Sequence, residues 1–364
     1  MSVQTAEVSW LAAHGEKSLE PRLLVFLTFI EKAEGGTQFS RREAEAVAEE
    51  LLSGRVETAE IARLLAAMRG REYSVDEVVG FATVMRRRAE PIFTGAVPAP
   101  EMLVDTCGTG GDDSDTFNIS TAAAFVVAGA GTHVAKMGNR SVSSRCGSAD
   151  VLESLGAQID IPLARTRAAI VEVGFGFLFA PAVHTATRHA MAARRQLGGR
   201  TIFNLLGPLT NPAGASAQLM GVFSSDAVEL AARALAELGT RHAFVVHGDG
   251  GLDEISLSGE TKMAMVRDGT VRMVSVAPED FGVGRAPVAA LRGGNSAENA
   301  VLLRRVLDGE AGAIRNAVLV NAAAALVAAG AAASFREGVA LAEGTIDSGA
   351  ARDKLTEFVS FTNG

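Results

Sequence analysis

The feature that most constrains this chain is a change of hydrophobic rhythm near residue 91. Before it, from about Pro21 to Glu90, the apolar pattern repeats at helical spacing. Ile61, Leu64, Leu65 and Met68 form an i, i+3, i+4, i+7 stripe, and Val78, Phe81, Ala82 and Met85 form another. Ser40 with Glu43, and Ser74 with Glu77, read as capping boxes that satisfy backbone donors at helix starts. Past the punctuation of Pro91, Gly95, Pro98 and Pro100, short apolar runs at 102–105, 132–136, 218–222 and 243–247 alternate with helical stretches. Those stretches include 121–128, 164–173, 226–238 and 297–307. Such alternation implies parallel strands joined by right-handed crossovers. The expected fold class is therefore α/β, with a small all-helical domain over 21–96 and a larger α/β domain over 97–183 and 208–364. The central sheet of the latter should be mostly parallel. An Arg-rich helical segment at about 184–207 is expected to pack back on the small domain, leaving a cleft and hinge between the two units. Residues 1–20, polar and mixed, read as an N-terminal extension.

Charge and cysteine usage narrow the function. The 364 residues carry 34 Lys plus Arg against 42 Asp plus Glu, a net charge of −8, which argues against nucleic acid or anionic lipid as a partner. The two cysteines, Cys107 and Cys146, make no disulfide framework or CxxC metal ribbon and fit a reducing cytoplasm. The N-terminus shows no basic segment followed by an apolar one, so no secretory signal is expected. Residues 317–335 are uncharged, long enough for a membrane span. They are mostly alanine, however, and include Asn321, Gly330 and Ser334, so a buried, close-packed helix is expected instead.

The chain has 39 glycines, and seven lie between 108 and 147, against about four for an even spread. The densest run is Asp105-Thr-Cys-Gly-Thr-Gly-Gly-Asp112, directly after an apolar strand. Gly108, Gly110 and Gly111 permit backbone conformations closed to other residues and let main-chain N–H groups close on an anion. Phe117-Asn-Ile-Ser-Thr121 then opens an apolar helix. Ser120 or Thr121 there is either a plain N-cap or part of a phosphate site made of free N–H groups, hydroxyls and the positive helix end. The Gly-rich turn feeding the same strand–helix unit favours the phosphate. Neither a Walker A loop nor a GxGxxG fingerprint is present. Lys136 ends an expected buried strand beside a glycine, where a lysine needs an anion partner. Asp253 and Glu254 follow another strand and the turn His247-Gly-Asp-Gly-Gly251, at the side where α/β ligand crevices form. Hard carboxylate oxygens at that place suit Mg²⁺, which binds one or two carboxylates plus substrate phosphates. The six histidines form no HxxxH or HExxH pattern, so zinc is not expected.

Together these motifs resemble the anthranilate phosphoribosyltransferase family. Gly-Thr-Gly-Gly-Asp (108–112), Asn-Ile-Ser-Thr (118–121), Gly-Asn-Arg-Ser (138–141) and Gly-Ser-Ala-Asp (147–150) occur in the family's order. So do Arg-Thr-Ile-Phe-Asn-Leu-Leu-Gly-Pro-Leu-Thr-Asn-Pro (200–212) and Leu-Asp-Glu-Ile-Ser (252–256). The resemblance runs from about residue 21 to the C-terminus. It implies Mg²⁺-dependent transfer of a phosphoribosyl group from phosphoribosyl diphosphate to anthranilate, a step of tryptophan biosynthesis, by a cytoplasmic homodimer associated through its helical domains. It places the ribosyl diphosphate on Gly108, Gly110, Gly111, Asp112, Thr116, Asn118, Ser120, Thr121, Lys136 and Ser148, with a mobile loop over 139–148. Anthranilate falls to Gly108, Asn139 and Arg194, the last pairing its carboxylate. Two Mg²⁺ ions fall to Asp253 and Glu254 with help from Ser120. No protein nucleophile is implied, because the amine of anthranilate already carries its lone pair.

The chain departs from the family pattern at four places. Met137 stands where a histidine is usual, Thr185 where a proline is usual, and Asp113 where a glycine is usual; Thr187 also departs. None of these is a phosphate or metal residue. Two other readings compete. One is a paralogous transferase with a different aromatic acceptor, and the other is a non-enzymatic, nucleic-acid-binding member of the family. The charge of −8 and the intact Asp253–Glu254 pair weigh against the latter. The Lys-His-Ser-Thr-Gly-Gly signature of the fold-related pyrimidine nucleoside phosphorylases is absent.

Overall fold

The computed structural model describes residues 21–94, 99–112, 114–141 and 145–364. The predicted extension 1–20, Gly95 and Pro98 of the boundary, Asp113, and Val142, Ser143 and Ser144 of the predicted loop lie outside the described residues. Four helices come first: α1 (Pro21–Glu34), α2 (Arg41–Leu51), α3 (Thr58–Arg69) and α4 (Val75–Arg88). Both expected capping boxes are formed, at Ser40 and Ser74, and a cap of this kind contributes about 1 kcal/mol. The second also holds a buried charge. Glu77, fully buried, accepts from the backbone N–H of Phe39 at 2.9 Å and pairs with Arg71, tying the start of α4 to the start of α2.

A seven-stranded sheet follows, made of β1 (Leu103–Gly108), β2 (His133–Gly138), β3 (Phe175–Phe179), β4 (Ala217–Gly221), β5 (His242–Gly248), β6 (Thr261–Arg267) and β7 (Thr270–Val276). Their spatial order is β3-β2-β1-β4-β5-β6-β7. The first five run parallel, and β6 and β7 are antiparallel. Strands β1, β2, β4 and β5 lie where short apolar runs predicted them. The hairpin of β6 and β7 turns at Asp268 (φ 46°) and Gly269 (φ 79°), a left-handed pair matched to the twist of the strands.

The connecting helices are α5 (Ile119–Gly129), α6 (Ser148–Ser154), α7 (Leu163–Ala168), α8 (Ala180–Val183), α9 (Arg188–Leu197), α10 (Ile202–Leu206) and α11 (Ala227–Glu237). They end with α12 (Ser296–Leu307), α13 (Ala313–Ala328), α14 (Phe335–Asp347) and α15 (Ala350–Asn363). The stretch predicted as one helix over 164–173 is α7 continued by a π-helical turn, Ala169–Val173, stopped by left-handed Gly174. The alanine-rich stretch is the buried helix α13, which ends before Gly330 (φ 73°). No helix among the described residues is long and apolar enough to cross a membrane.

Two apolar layers sandwich the sheet. On one face α5, α12, α13, α14 and α15 pack with Phe125, Phe175 and Phe358 at their centre. On the other, α11 joins the sheet to α1–α4, α9 and α10 in a single continuous apolar cluster. The α9–α10 segment packs on α3, with Arg69 donating to the carbonyl of Gly198 at 2.6 Å. Arg86 on α4 reaches the carbonyls of Leu209 (2.8 Å) and Leu238 (2.9 Å). The helical unit is thus fastened to the sheet on this side.

Candidate active site

In this strand order the chain leaves β1 toward β2 on one side, while β4 begins the other half. The C-terminal ends of β1 and β4, Gly108 paired with Gly221, are therefore the switch point where open α/β sheets bind ligands. The predicted residues gather there. Both glycines abut Asp253, and a side chain at either would overlap it. Past Gly108, Gly110 (φ 64°) and Gly111 (φ 72°) make a left-handed turn, and the N–H of Gly110 donates to Asp253 Oδ2 at 2.8 Å. Thr109 pins the turn by accepting from Phe223 N at 2.9 Å, and Arg200 donates to the Gly111 carbonyl. Asp112 accepts from the Ser114 hydroxyl at 2.6 Å, and Ser114 meets Thr116 at 3.2 Å.

Helix α5 starts beneath this turn. Asn118 is its N-cap residue but makes no side-chain cap bond; its amide is held instead by Asn299 and Cys146. The N–H of Ser120, in the first turn, donates to Glu254 Oε1 at 3.1 Å. Lys136 comes from β2, only 2% exposed. Its Nζ donates to the Thr106 carbonyl and lies 3.3 Å from Ser120 Oγ, leaving one of its three donors without a partner among the described residues. Burial lowers its pKa, opposed chiefly by the buried carboxylate of Asp105 on the next strand. Asp105 is itself pushed up to about 6 by burial, against the bond from Asn211 Nδ2 (2.8 Å) that favours its charge.

The acids show the same tension. Burial, then the charge of Asp112, push Asp253 up to about 7, against the Gly110 N–H. Burial, then Asp253, raise Glu254 well above the usual carboxylate range. A cation would relieve both. With the Ser120 hydroxyl they offer hard oxygen donors only, the donor set that Mg²⁺ prefers. Among the described residues no three His, Cys, Asp or Glu side chains form a ready-made cage.

Other predicted residues stand apart. Asn139, exposed after β2, turns its Oδ1 to Arg140 N at 2.7 Å, while its carbonyl receives Ala149 N at 3.2 Å and Ser148 Oγ at 3.4 Å. Thr121 is buried and its hydroxyl has no hydrogen-bond partner, so in this state it faces the protein interior rather than a ligand. Arg194, at the end of α9, stacks on Phe203 (5.2 Å) and touches Met191 Sδ (3.7 Å). It is half-buried with no carboxylate partner among the described residues, and burial lowers its pKa. Among the described residues no hydrogen bond or ring contact joins it to the strand-end cluster, but Arg200 carries its segment to the Gly-rich turn. Met137, the departure beside Lys136, is buried in an apolar cluster with Leu178, Val183 and Ala213. Thr185 opens a single 3₁₀ turn beside buried His184.

Residues 100–352 match the α/β domain of a glycosyl transferase family, and 27–89 match that family's helical bundle domain. The anthranilate phosphoribosyltransferase of Pelotomaculum thermopropionicum is 52% identical over 92% of this chain and 95% of its own. This chain belongs to the anthranilate phosphoribosyltransferase family. A second such relative, from Solibacter usitatus, is 54% identical over 88% of this chain and 94% of its own. The solved structure of the anthranilate phosphoribosyltransferase of Thermus thermophilus superposes with a TM-score of 0.86, at 43% identity, covering 92% of this chain and 99% of that one. The Saccharomyces cerevisiae family member, solved with PRPP and Mg, gives 0.83 at 25% identity, covering 93% and 98%.

The sequence reading gave no site role to three asparagines of this family member. Asn211 braces Asp105, Asn299 reaches Asn118, and Asn321 brackets Ile255, accepting from its N–H at 3.0 Å. Asn321 is fully buried in α13 and holds the turn that carries Asp253 and Glu254. Its one visible signal was a lone amide inside an apolar run.

Proposed function

We propose that this protein transfers a phosphoribosyl group from phosphoribosyl diphosphate to anthranilate, giving N-(5-phosphoribosyl)anthranilate and diphosphate in tryptophan biosynthesis. The carrying observation is the convergence, at the ends of β1 and β4, of the Gly-rich turn, the start of α5, Lys136 and the Asp253–Glu254 pair. The amine nitrogen forms the bond to ribose C1, the C1–O bond to diphosphate breaks, and nitrogen sheds a proton. No protein nucleophile is needed. The barrier lies in the charge that builds on the leaving group. In this reading that charge is met by the N–H of Gly111 and the unpartnered N–H of Lys136, while the N–H groups of Gly110 and Ser120 hold Asp253 and Glu254 beside it. Gly108, Asp112, Thr116, Asn118 and Ser148 complete the donor site in this reading, with Thr121 supplying its place in the helix start.

Asp253 and Glu254, with Ser120, would hold two Mg²⁺ ions. Bound there, Mg²⁺ would neutralise the diphosphate and stabilise its departure. Gly108, Asn139 and Arg194 would meet anthranilate. A half-buried guanidinium stacked on Phe203 and lacking an acid is a ready partner for its carboxylate. A homodimer through the helical domains belongs to the same reading, and light scattering gives its mass directly. A cytoplasmic site of action fits the two unpaired cysteines.

The deciding experiment mixes protein, Mg²⁺, phosphoribosyl diphosphate and anthranilate and follows anthranilate fluorescence. Steady loss supports the assignment. A folded protein that consumes phosphoribosyl diphosphate only with another aromatic amine would replace anthranilate as acceptor.

A further inference from the structure

Asn299, buried on α12 and 181 residues from Asn118 in sequence, sets the direction of a short chain of amides. The chain starts from a group whose role is fixed. The backbone N–H of Gly294 can only donate, and it meets Asn299 Oδ1 at 2.7 Å. Asn299 Nδ2 is then the end that faces Asn118, donating to its Oδ1 at 3.0 Å. Asn118 Oδ1 also receives the Cys146 thiol at 3.4 Å, a weaker donor, so Asn118 presents Nδ2 on its other side, where one N–H reaches the carbonyl of Cys146 at 3.2 Å. The other has no acceptor among the described residues.

The seat of Asn299 is rigid. Phe117 N donates to Leu291 O at 3.0 Å and Gly293 N to Asp115 O at 2.9 Å, clamping 291–293 against the segment that leads into α5. A Cβ on Gly293 would stand 2.6 Å from Asn299 Oδ1 and 2.8 Å from Phe117 Cα, so the two segments meet without slack.

We propose that Asn299 is a positioning residue for the ribosyl diphosphate site. It locks the Asn118 amide so that a donor N–H, not the carbonyl oxygen, faces the substrate anion. This rests on the reading of Asn118 as a diphosphate ligand. An amide free to turn would offer Oδ1 to the phosphate part of the time and repel it.

Asn299→Asp tests it. The carboxylate still accepts from Gly294 but cannot donate to Asn118, whose amide must turn round to donate to it. Steady-state kinetics in each substrate and thermal melts are measured for Asn299→Asp, Asn118→Ala and the double variant, beside the wild type. Asn299→Asp should raise the KM for phosphoribosyl diphosphate about tenfold or more, since a charge-facing hydrogen bond is exchanged for a lone pair. The KM for anthranilate should stay within about twofold. In the double variant the aspartate should add nothing to the effect of Asn118→Ala. Should Asn299→Asp melt early, Asn299→Ala carries the same test, raising the same KM a few-fold as the amide is released. An unchanged KM for the diphosphate in folded Asn299 variants, with Asn118→Ala impaired, overturns the proposal alone. So does an equal rise for both substrates, or a further rise in the double variant, which would mark a plain charge effect. A normal Asn118→Ala enzyme removes Asn118 from the site and takes the proposal with it, whereas an inactive wild type strikes the transferase assignment itself.

Discussion

Gly221→Ala is a substitution of one methyl group in a strand, yet it should disable the site. Gly221 ends β4 with its Cα against the main chain of Asp253. A Cβ there would fall inside the Asp253 carbonyl group and stand 3.1 Å from its Cα. Restoring van der Waals separation from the carbonyl oxygen would push the Asp253 backbone away by about 2 Å. The obstacle is backbone, not the end of a flexible side chain, so little can swing aside. Overpacking of this kind costs about 1–3 kcal/mol. The larger effect is on rate, because a displacement of about 1 Å at a reacting group can cost about a hundredfold. Both carboxylates ride on that segment, Asp253 tied to Gly110 and Glu254 to Ser120. We expect kcat/KM, measured by anthranilate fluorescence, to fall about a hundredfold or more, with a raised Mg²⁺ requirement and a melting temperature only a few degrees lower. Gly344→Ala is the control. It lies exposed in α14 with nothing within 4 Å of its would-be Cβ. It should leave kinetics unchanged and stabilise by about 0.5–1 kcal/mol. Wild-type kinetics in Gly221→Ala would refute the view that the ends of β1 and β4 set the place of the acids.

Asp253→Asn combined with Glu254→Gln should abolish most turnover and the response to Mg²⁺; retained Mg²⁺-dependent activity would move the metal elsewhere. Arg194→Ala should raise the KM for anthranilate by about tenfold or more, the worth of a charge-assisted bond, and that for the ribosyl diphosphate far less. Equal effects would remove its carboxylate role. His184 is 5% exposed and lies 3.2 Å from Thr210 Oγ1, and burial holds its pKa down to about 4. The fold therefore keeps it neutral where the unfolded chain takes up a proton. Its contribution, about 3 kcal/mol, is present above pH 6.5 and lost as pH falls from 6.5 to about 4. A His184→Gln variant should show a flatter denaturation profile across that window, and an unchanged slope would contradict the assignment.

What could be read in the sequence was what local physics specifies. Helical periodicity and capping boxes gave α2–α4, and four short apolar runs gave β1, β2, β4 and β5. The Gly-rich turn, the polar start of α5, Lys136 and the paired acids were visible because each needs a particular residue type beside a strand end. Strand β3 was hidden by the helical pattern running into it. The hairpin of β6 and β7 was missed because β7 is largely exposed, which weakens its alternation, although Asp268-Gly269 was a usable turn signal.

The chain's own order of residues thus determined the family, the class of element at most positions and the chemistry of the phosphate and metal groups. Only the tertiary structure decided which groups act together. It set β4 beside β1, so that Gly108 and Gly221 jointly seat Asp253, and it fused the helical unit to one face of the sheet through a shared apolar layer. It also assigned Asn211, Asn299 and Asn321, three isolated amides, to Asp105, Asn118 and Ile255. A hydrogen bond depends on distance and direction between atoms. For partners 66 to 181 residues apart, no local pattern in the sequence carries either.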